Sequence, residues 1–232
     1  MLFTGSHRSY YLDVVVSHFL SCGSASLDGR GRPPVSGRSW ATAVFKPVAV
    51  DPRGVSDDDA PARYDRLERH ETPGARNSLW HWREAKPLPE VVRNYLVVWL
   101  LRVSPSLAAK TTLLSALGAE VGEGVAWGLE ATPDVFWPER ISLGADVIVG
   151  YDATILCHEF LQDEYRVGDV VVGDRAMIGA GAVILPGVEV GADAQIAANS
   201  LVAEDVPPGT TVAGVPAEPV ARETDADVET GR

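Results

Sequence analysis

Lysine is nearly absent from this chain of 232 residues: Lys46, Lys86 and Lys110 stand against seventeen arginines. Acidic residues outnumber basic ones 32 to 20, for a net charge of −12 and an isoelectric point near 4.8. That shortage of positive charge argues against a grip on nucleic-acid phosphates or anionic membranes. An acidic, lysine-poor composition is expected of a cytoplasmic protein from a halophilic source, kept hydrated in high salt. Cysteine is scarce too. Cys22 and Cys157 are too few for a disulfide framework or a thiolate zinc site, so two unpaired thiols are expected. Long apolar runs are missing. Tyr10–Leu20 is interrupted by Asp13, Ser17 and His18, and Val91–Val103 by Arg93, Asn94 and Arg102. Both fall short of the ~20 residues a spanning helix needs, so no stable membrane insertion is expected.

What remains is globular: 46% of residues are apolar and 22% charged. Residues 1–55 carry six basic and three acidic side chains, a net of +3, leaving −15 on the remainder. This block is rich in Gly, Ser and Pro and lacks sustained periodicity. It is expected to be a disordered extension or upstream sequence, with the natural start near Val55. Residues 56–118 form an N-terminal helical segment. Leu88-Pro89-Glu90 opens a helix that stops near Pro105, with Pro89 suited to a first turn. Its apolar positions wrap most of the circumference. The helix therefore needs cover, from a neighbouring domain or subunit or from a membrane surface. A second helix, about Leu107–Leu117, ends at Gly118. Residues 221–232 are an acidic tail.

Residues 119–220 hold the strongest signal. Val172, Ile178, Ile184, Val190, Ile196 and Val202 recur at intervals of six. A small residue follows in five of the six cases: Gly173, Gly179, Gly191, Ala197 and Ala203, with Leu185 the exception. Four places after each aliphatic stands Ala176, Ala182, Val188, Ala194, Ser200 or Val206. Leu143, Val149 and Ile155 share the register. Period six fits neither an α-helix nor an up-and-down strand pair. It fits a parallel β-helix, in which each unit is one short flat face and a turn.

These units resemble the hexapeptide-repeat acyltransferases. Ile196–Val220 is similar to the closing coils of maltose, galactoside and xenobiotic O-acetyltransferases. NSLWHW, VVRNYLVVW, PERISLG and ILCHEFLQDEYRVGDVVVG resemble a bacterial subgroup of acetyltransferases without a settled acceptor. The resemblance spans about Asn77–Val220. It implies an all-β, left-handed parallel β-helix assembled as a homotrimer, with acetyl-CoA as co-substrate.

From Ile155 to Val172 the hexad rhythm breaks at a polar insertion, Cys157–Val170, and such a loop invites a functional reading. At its base stands His158, the only histidine after position 81. An alcohol attacks a thioester only as its proton leaves, and imidazole suits the base at neutral pH. The resemblance places the catalytic histidine at this junction, followed by Glu, as in His158-Glu159. The group that orients the imidazole is left open: Glu159, a backbone carbonyl or another carboxylate. Asp134 and Glu159 are the candidate acceptor contacts, although Asp134 could equally hold a turn beside Pro133.

The resemblance puts the donor between coils of adjacent subunits, at Gly179, Ala180, Ala198, Asn199, Gly214, Val215 and Pro216. Arg222 and Arg175 are candidates for the coenzyme A phosphates, because Glu204, Glu218 and Ala221 occupy positions that are often basic in relatives. The expected reaction is acetyl transfer to a hydroxyl of a sugar or other small acceptor. The acidic insertion, with Arg166 its only local counter-charge, should favour neutral acceptors over anionic ones. N-acylation of an amino sugar would use the same residues, and a silent trimeric scaffold is the alternative from another class. A carbonic-anhydrase-type metal site would need three histidines, so no metal is expected.

Overall fold

A computed structural model describes residues 62–220. The expected extension at 1–55, the tail at 221–232 and Arg222 lie outside the described residues.

The hexads fold into three parallel sheets of very short strands. The first sheet runs β2 (Glu120–Val121), β4 (Ile141–Leu143), β9 (Val170–Val172), β12 (Glu189–Val190). The second runs β3 (Ala126–Trp127), β5 (Ile148–Val149), β10 (Met177–Ile178), β13 (Gln195–Ile196), β15 (Thr211–Gly214). An antiparallel partner, β16 (Ala217–Pro219), closes its edge. The third sheet runs β6 (Thr154–Ile155), β11 (Val183–Ile184), β14 (Leu201–Val202). The chain visits the sheets in rotation, as a parallel β-helix does. Inward aliphatics Val172, Ile178, Ile184, Val190, Ile196 and Val202 are at most 2% exposed. Each contributes about 1.5–3 kcal/mol of apolar burial. Close stacking explains the small residue after five of the six: a Cβ on Gly179 would lie 2.5 Å from the backbone nitrogen of Ala198.

The spacing between stacked residues locates the irregularities. Val171 pairs with Glu189 and Val183 with Leu201, each 18 residues on, the regular three-hexad coil. Glu120 pairs with Ser142, 22 residues on, and Ser142 with Val171, 29 on. Both surpluses leave the coil after the third sheet and before the first. They are the turn from Pro133 to Arg140 and the insertion from Cys157 to Asp169. Two distant breaks in the rhythm are thereby stacked at one corner.

The insertion is an ordered hairpin, β7 (His158–Phe160) and β8 (Glu164–Val167), and β1 (Glu68–Glu71) adds to it antiparallel. The reading of 56–118 as a helical segment does not foresee β1, whose residues Glu68, Arg69, His70 and Glu71 are charged or polar and carry no period-two apolar pattern. Long-range pairing to β8 makes it a strand.

Helix α1 (Leu88–Val103) begins with Pro in its first turn, and α2 (Leu107–Ala116) is capped by Ser106, whose Oγ accepts from Ala109 N. On its inner side α1 is fixed to the first coil by buried Asn94, whose Nδ2 donates to Val135 O at 3.0 Å. Lys110 of α2 is buried and donates to Gly128 O at 2.6 Å. Burial lowers its pKa from the usual lysine range.

Candidate active site

The corner where the two breaks meet holds the one histidine of the repeat region. Thr132 bridges Thr154 in parallel, which sets the stretch after Thr132 beside the stretch after Ile155. Asp134 therefore lies against Cys157 and His158. Its side chain is fully buried. Oδ1 accepts from Phe136 N and Trp137 N, both at 2.8 Å, and Oδ2 accepts from Cys157 N at 2.7 Å. Oδ2 also lies 2.6 Å from His158 Nδ1. A carboxylate gathering three backbone N–H groups is an acceptor, so Nδ1 carries the proton and donates. The lone pair then falls on Nε2, the tautomer a general base needs.

Aromatic rings enclose the imidazole. Phe136 and Phe160 meet it edge-on, with centroids at 4.9 and 5.1 Å, and Trp137 lies at 5.3 Å. The side chain keeps 16% exposure. None of the three rings is evident as a site residue from the sequence. Phe136 and Trp137 belong to the first break, and Phe160 lies two residues beyond His158, on the same face of β7. An open groove of about 910 Å³ starts at Phe160 and continues past Leu161, Gln162, Asp163, Glu71 and Asn77.

Glu159 points the other way, as alternation along a strand requires. It pairs at 3.0 Å with Arg63, whose side chain is 4% exposed and also donates to Pro186 O. Glu159→Ala would leave that guanidinium buried without its counter-charge. A loss of about 3 kcal/mol in urea unfolding is expected.

The acidic character of the insertion needs correction. Arg166 is not the only counter-charge. Arg63 pairs with Glu159, and Arg140 with Asp169 at 3.0 Å, while Arg166 holds Glu164. Arg63 and Arg140 come from distant sequence, which a local reading cannot supply. Asp134, expected as an acceptor contact, is buried with both oxygens occupied beneath His158. Cys157 is fully buried. Desolvation, with the Asp134 charge beside it, pushes its thiol pKa well above the ordinary value.

The donor-side candidates gather at a different corner, between the second and third sheets. Asn199 N donates to Ala180 O at 2.8 Å and adopts a left-handed φ of 57°. Gly214 N donates to Ser200 Oγ at 3.2 Å. Gly179, Ala180, Ala198, Asn199 and Gly214 are thus stacked together, and Pro216 follows in the terminal turn. His158 leaves the far edge of the third sheet. Within one protomer that sheet separates His158 from these residues.

Stacked hexad coils define a class, the hexapeptide-repeat transferases. The family described as "Bacterial transferase hexapeptide (six repeats)" matches residues 169–204. The chain is 43% identical over 152 residues to the Bacillus subtilis (strain 168) protein named "Putative acetyltransferase YvoF", covering 65% of this chain and 88% of that protein. A Staphylococcus aureus (strain MRSA252) protein, "Putative acetyltransferase SAR0816", is 33% identical over 132 residues, 56% of this chain and 82% of its own. The fold is shared with the hexapeptide-repeat acetyltransferase VCA0836 of Vibrio cholerae, at a TM-score of 0.51 and 21% identity over 59% of this chain and 92% of that one. The chain belongs to the hexapeptide-repeat acetyltransferase family.

Proposed function

We propose that the protein is an acetyl-CoA-dependent O-acetyltransferase acting on a sugar or other small neutral hydroxylated acceptor, with His158 as general base. The observation that carries the reading is the 2.6 Å contact of His158 Nδ1 with buried Asp134, which favours the tautomer with its lone pair on Nε2. Acetyl-CoA is inferred from the acetyltransferase names of the relatives.

The acceptor hydroxyl gives its proton to Nε2 as its oxygen attacks the thioester carbonyl. The tetrahedral adduct expels coenzyme A, whose sulfur takes the proton back from the imidazolium. Asp134 is a positioning residue: it holds the tautomer and faces the positive ring formed during the step. Transfer is direct. Cys157, buried and held as a thiol, is no acyl carrier, so Cys157→Ala should keep kcat within about twofold in the thiol-release assay.

In this reading the β-helix is left-handed and the protein a homotrimer working in a high-salt cytoplasm. The separation of His158 from the Gly179–Ala198 corner supports the trimer: one protomer supplies the base and the next supplies the donor corner. The Arg63, Arg140 and Arg166 pairs partly neutralise the rim, and the groove beside Phe160 offers Asn77, Gln162 and Asp163 to hydroxyls. Free thiol release from acetyl-CoA, measured at high salt against sugars, amino sugars, serine and chloramphenicol, tests the function. Release with a neutral sugar is expected. Release only with carboxylated or phosphorylated acceptors would contradict the acceptor class, and none with any acceptor would favour a scaffold.

A further inference from the structure

Helix α1 is apolar on both sides, and only one side is covered. Asn94, Val98 and Leu101 are buried against the body. Val92, Tyr95, Leu96, Trp99, Leu100 and Val103 follow the i, i+3, i+4, i+7 rhythm on the opposite side, each 41–55% exposed. A monomer does not keep such a stripe in water.

The stripe continues onto the β-helix. Glu130 N donates to Arg102 O at 3.0 Å, and the Arg102–Glu130 ion pair ties the end of α1 to the turn carrying Leu129. Asp152 N donates to Leu129 O, stacking the turn of Tyr151 on that of Leu129. Leu129 and Tyr151 are 48% and 60% exposed, with Ile148 and Met177 exposed alongside. The next turn in this column, reached where Gly181 N donates to Tyr151 O, holds Ala180, and Ala198 follows. The apolar surface therefore runs from α1 to the donor corner.

We propose that a second copy of this chain seats on this surface, with α1 a contact helix between copies. The inference deepens the trimer reading above and rests on it. Area supports this occupant: the exposed parts of these side chains amount to on the order of 1,000 Å², against the ~800 Å² per partner of a stable interface. Continuity supports it too, because the surface ends at the corner where a neighbour must approach to bring its His158. Charge disfavours an anionic lipid surface as the occupant: the chain carries −12, and Arg102 is already paired.

Sedimentation velocity on the full chain tests this, comparing the parent protein with Leu96→Glu/Trp99→Glu and, as a control at the edge of the stripe, Arg93→Glu. Far-UV circular dichroism checks folding. The parent should sediment as a multiple of the chain mass, the control likewise, and the double variant as a smaller species with an unchanged spectrum. If the double variant does not fold, Trp99→Ser decides, with an expected shift of at least tenfold in the concentration at which the assembly dissociates. A monomeric parent, or variants that assemble like it, would overturn the proposal. So would stripe-dependent co-sedimentation with vesicles of phosphatidylcholine and phosphatidylglycerol, without a change in mass. Thiol release is followed in the same samples. An intact assembly without acetyl transfer speaks against the proposed reaction and leaves the contact helix standing.

Discussion

His158→Ala should lower kcat for acetyl transfer by roughly 10²–10⁴, the usual contribution of a positioned general base. The fold should survive, because the imidazole is not part of the aliphatic column: it projects from β7 into a ring of aromatics, and no inward position of the coils is altered. The KM for acetyl-CoA should change little, since in the proposed assembly the donor is held by the neighbouring protomer's Ala180–Ala198 corner and not by the imidazole. The check is initial-rate kinetics with both substrates varied, alongside a thermal melt. Equal kcat at saturating acceptor would remove His158 from the mechanism.

Asp134→Asn should have an effect of similar size with a different signature. An amide presents one acceptor oxygen where the carboxylate presents two, yet four donors converge on Asp134. With its oxygen toward Phe136 and Trp137, its NH₂ meets Cys157 N–H and His158 Nδ1. The imidazole must then accept there and carry its proton on Nε2, which is useless for a base. A loss of roughly 10²–10⁴ in kcat is expected. The orphaned Cys157 N–H adds a cost of about 1–3 kcal/mol in stability. A merely structural role would lower stability and leave the kcat of the folded fraction intact, so active-site-normalised rates distinguish the two.

The central coils are legible because each hexad repeats the same demand, an inward aliphatic and a small residue beneath the next coil. Val172 through Val202 announce the aliphatic six times and the small residue five. The first coil is less legible: Trp127 fills its core position, and a 22-residue offset separates it from the next. That same offset hides the partner of His158. Asp134 is 24 residues upstream, and only the register of Thr132 with Thr154 brings it under the imidazole. The insertion at His158 stands out as a break in rhythm, but its conversion into a sheet depends on β1, whose charged residues carry no strand pattern. Glu159 shows the limit of adjacency, since extended backbone sends neighbours to opposite faces. The apolar circumference of α1 is plain from sequence, whereas the side left exposed depends on Asn94 reaching Val135.

The central claim is that His158, held by Asp134, acts from one protomer on a donor bound at the Ala180–Ala198 corner of the next. Mixed assemblies test it most directly. Two inactive variants, His158→Ala and a donor-corner block such as Ala198→Trp, are prepared separately and then co-assembled in equal amounts, and thiol release from acetyl-CoA is measured. Half of the contacts supply an intact base and half of those an intact donor corner, so the account predicts recovery to about a quarter of the parent rate in a closed ring. A mixture as inactive as its components, with co-assembly confirmed by mass, would contradict it.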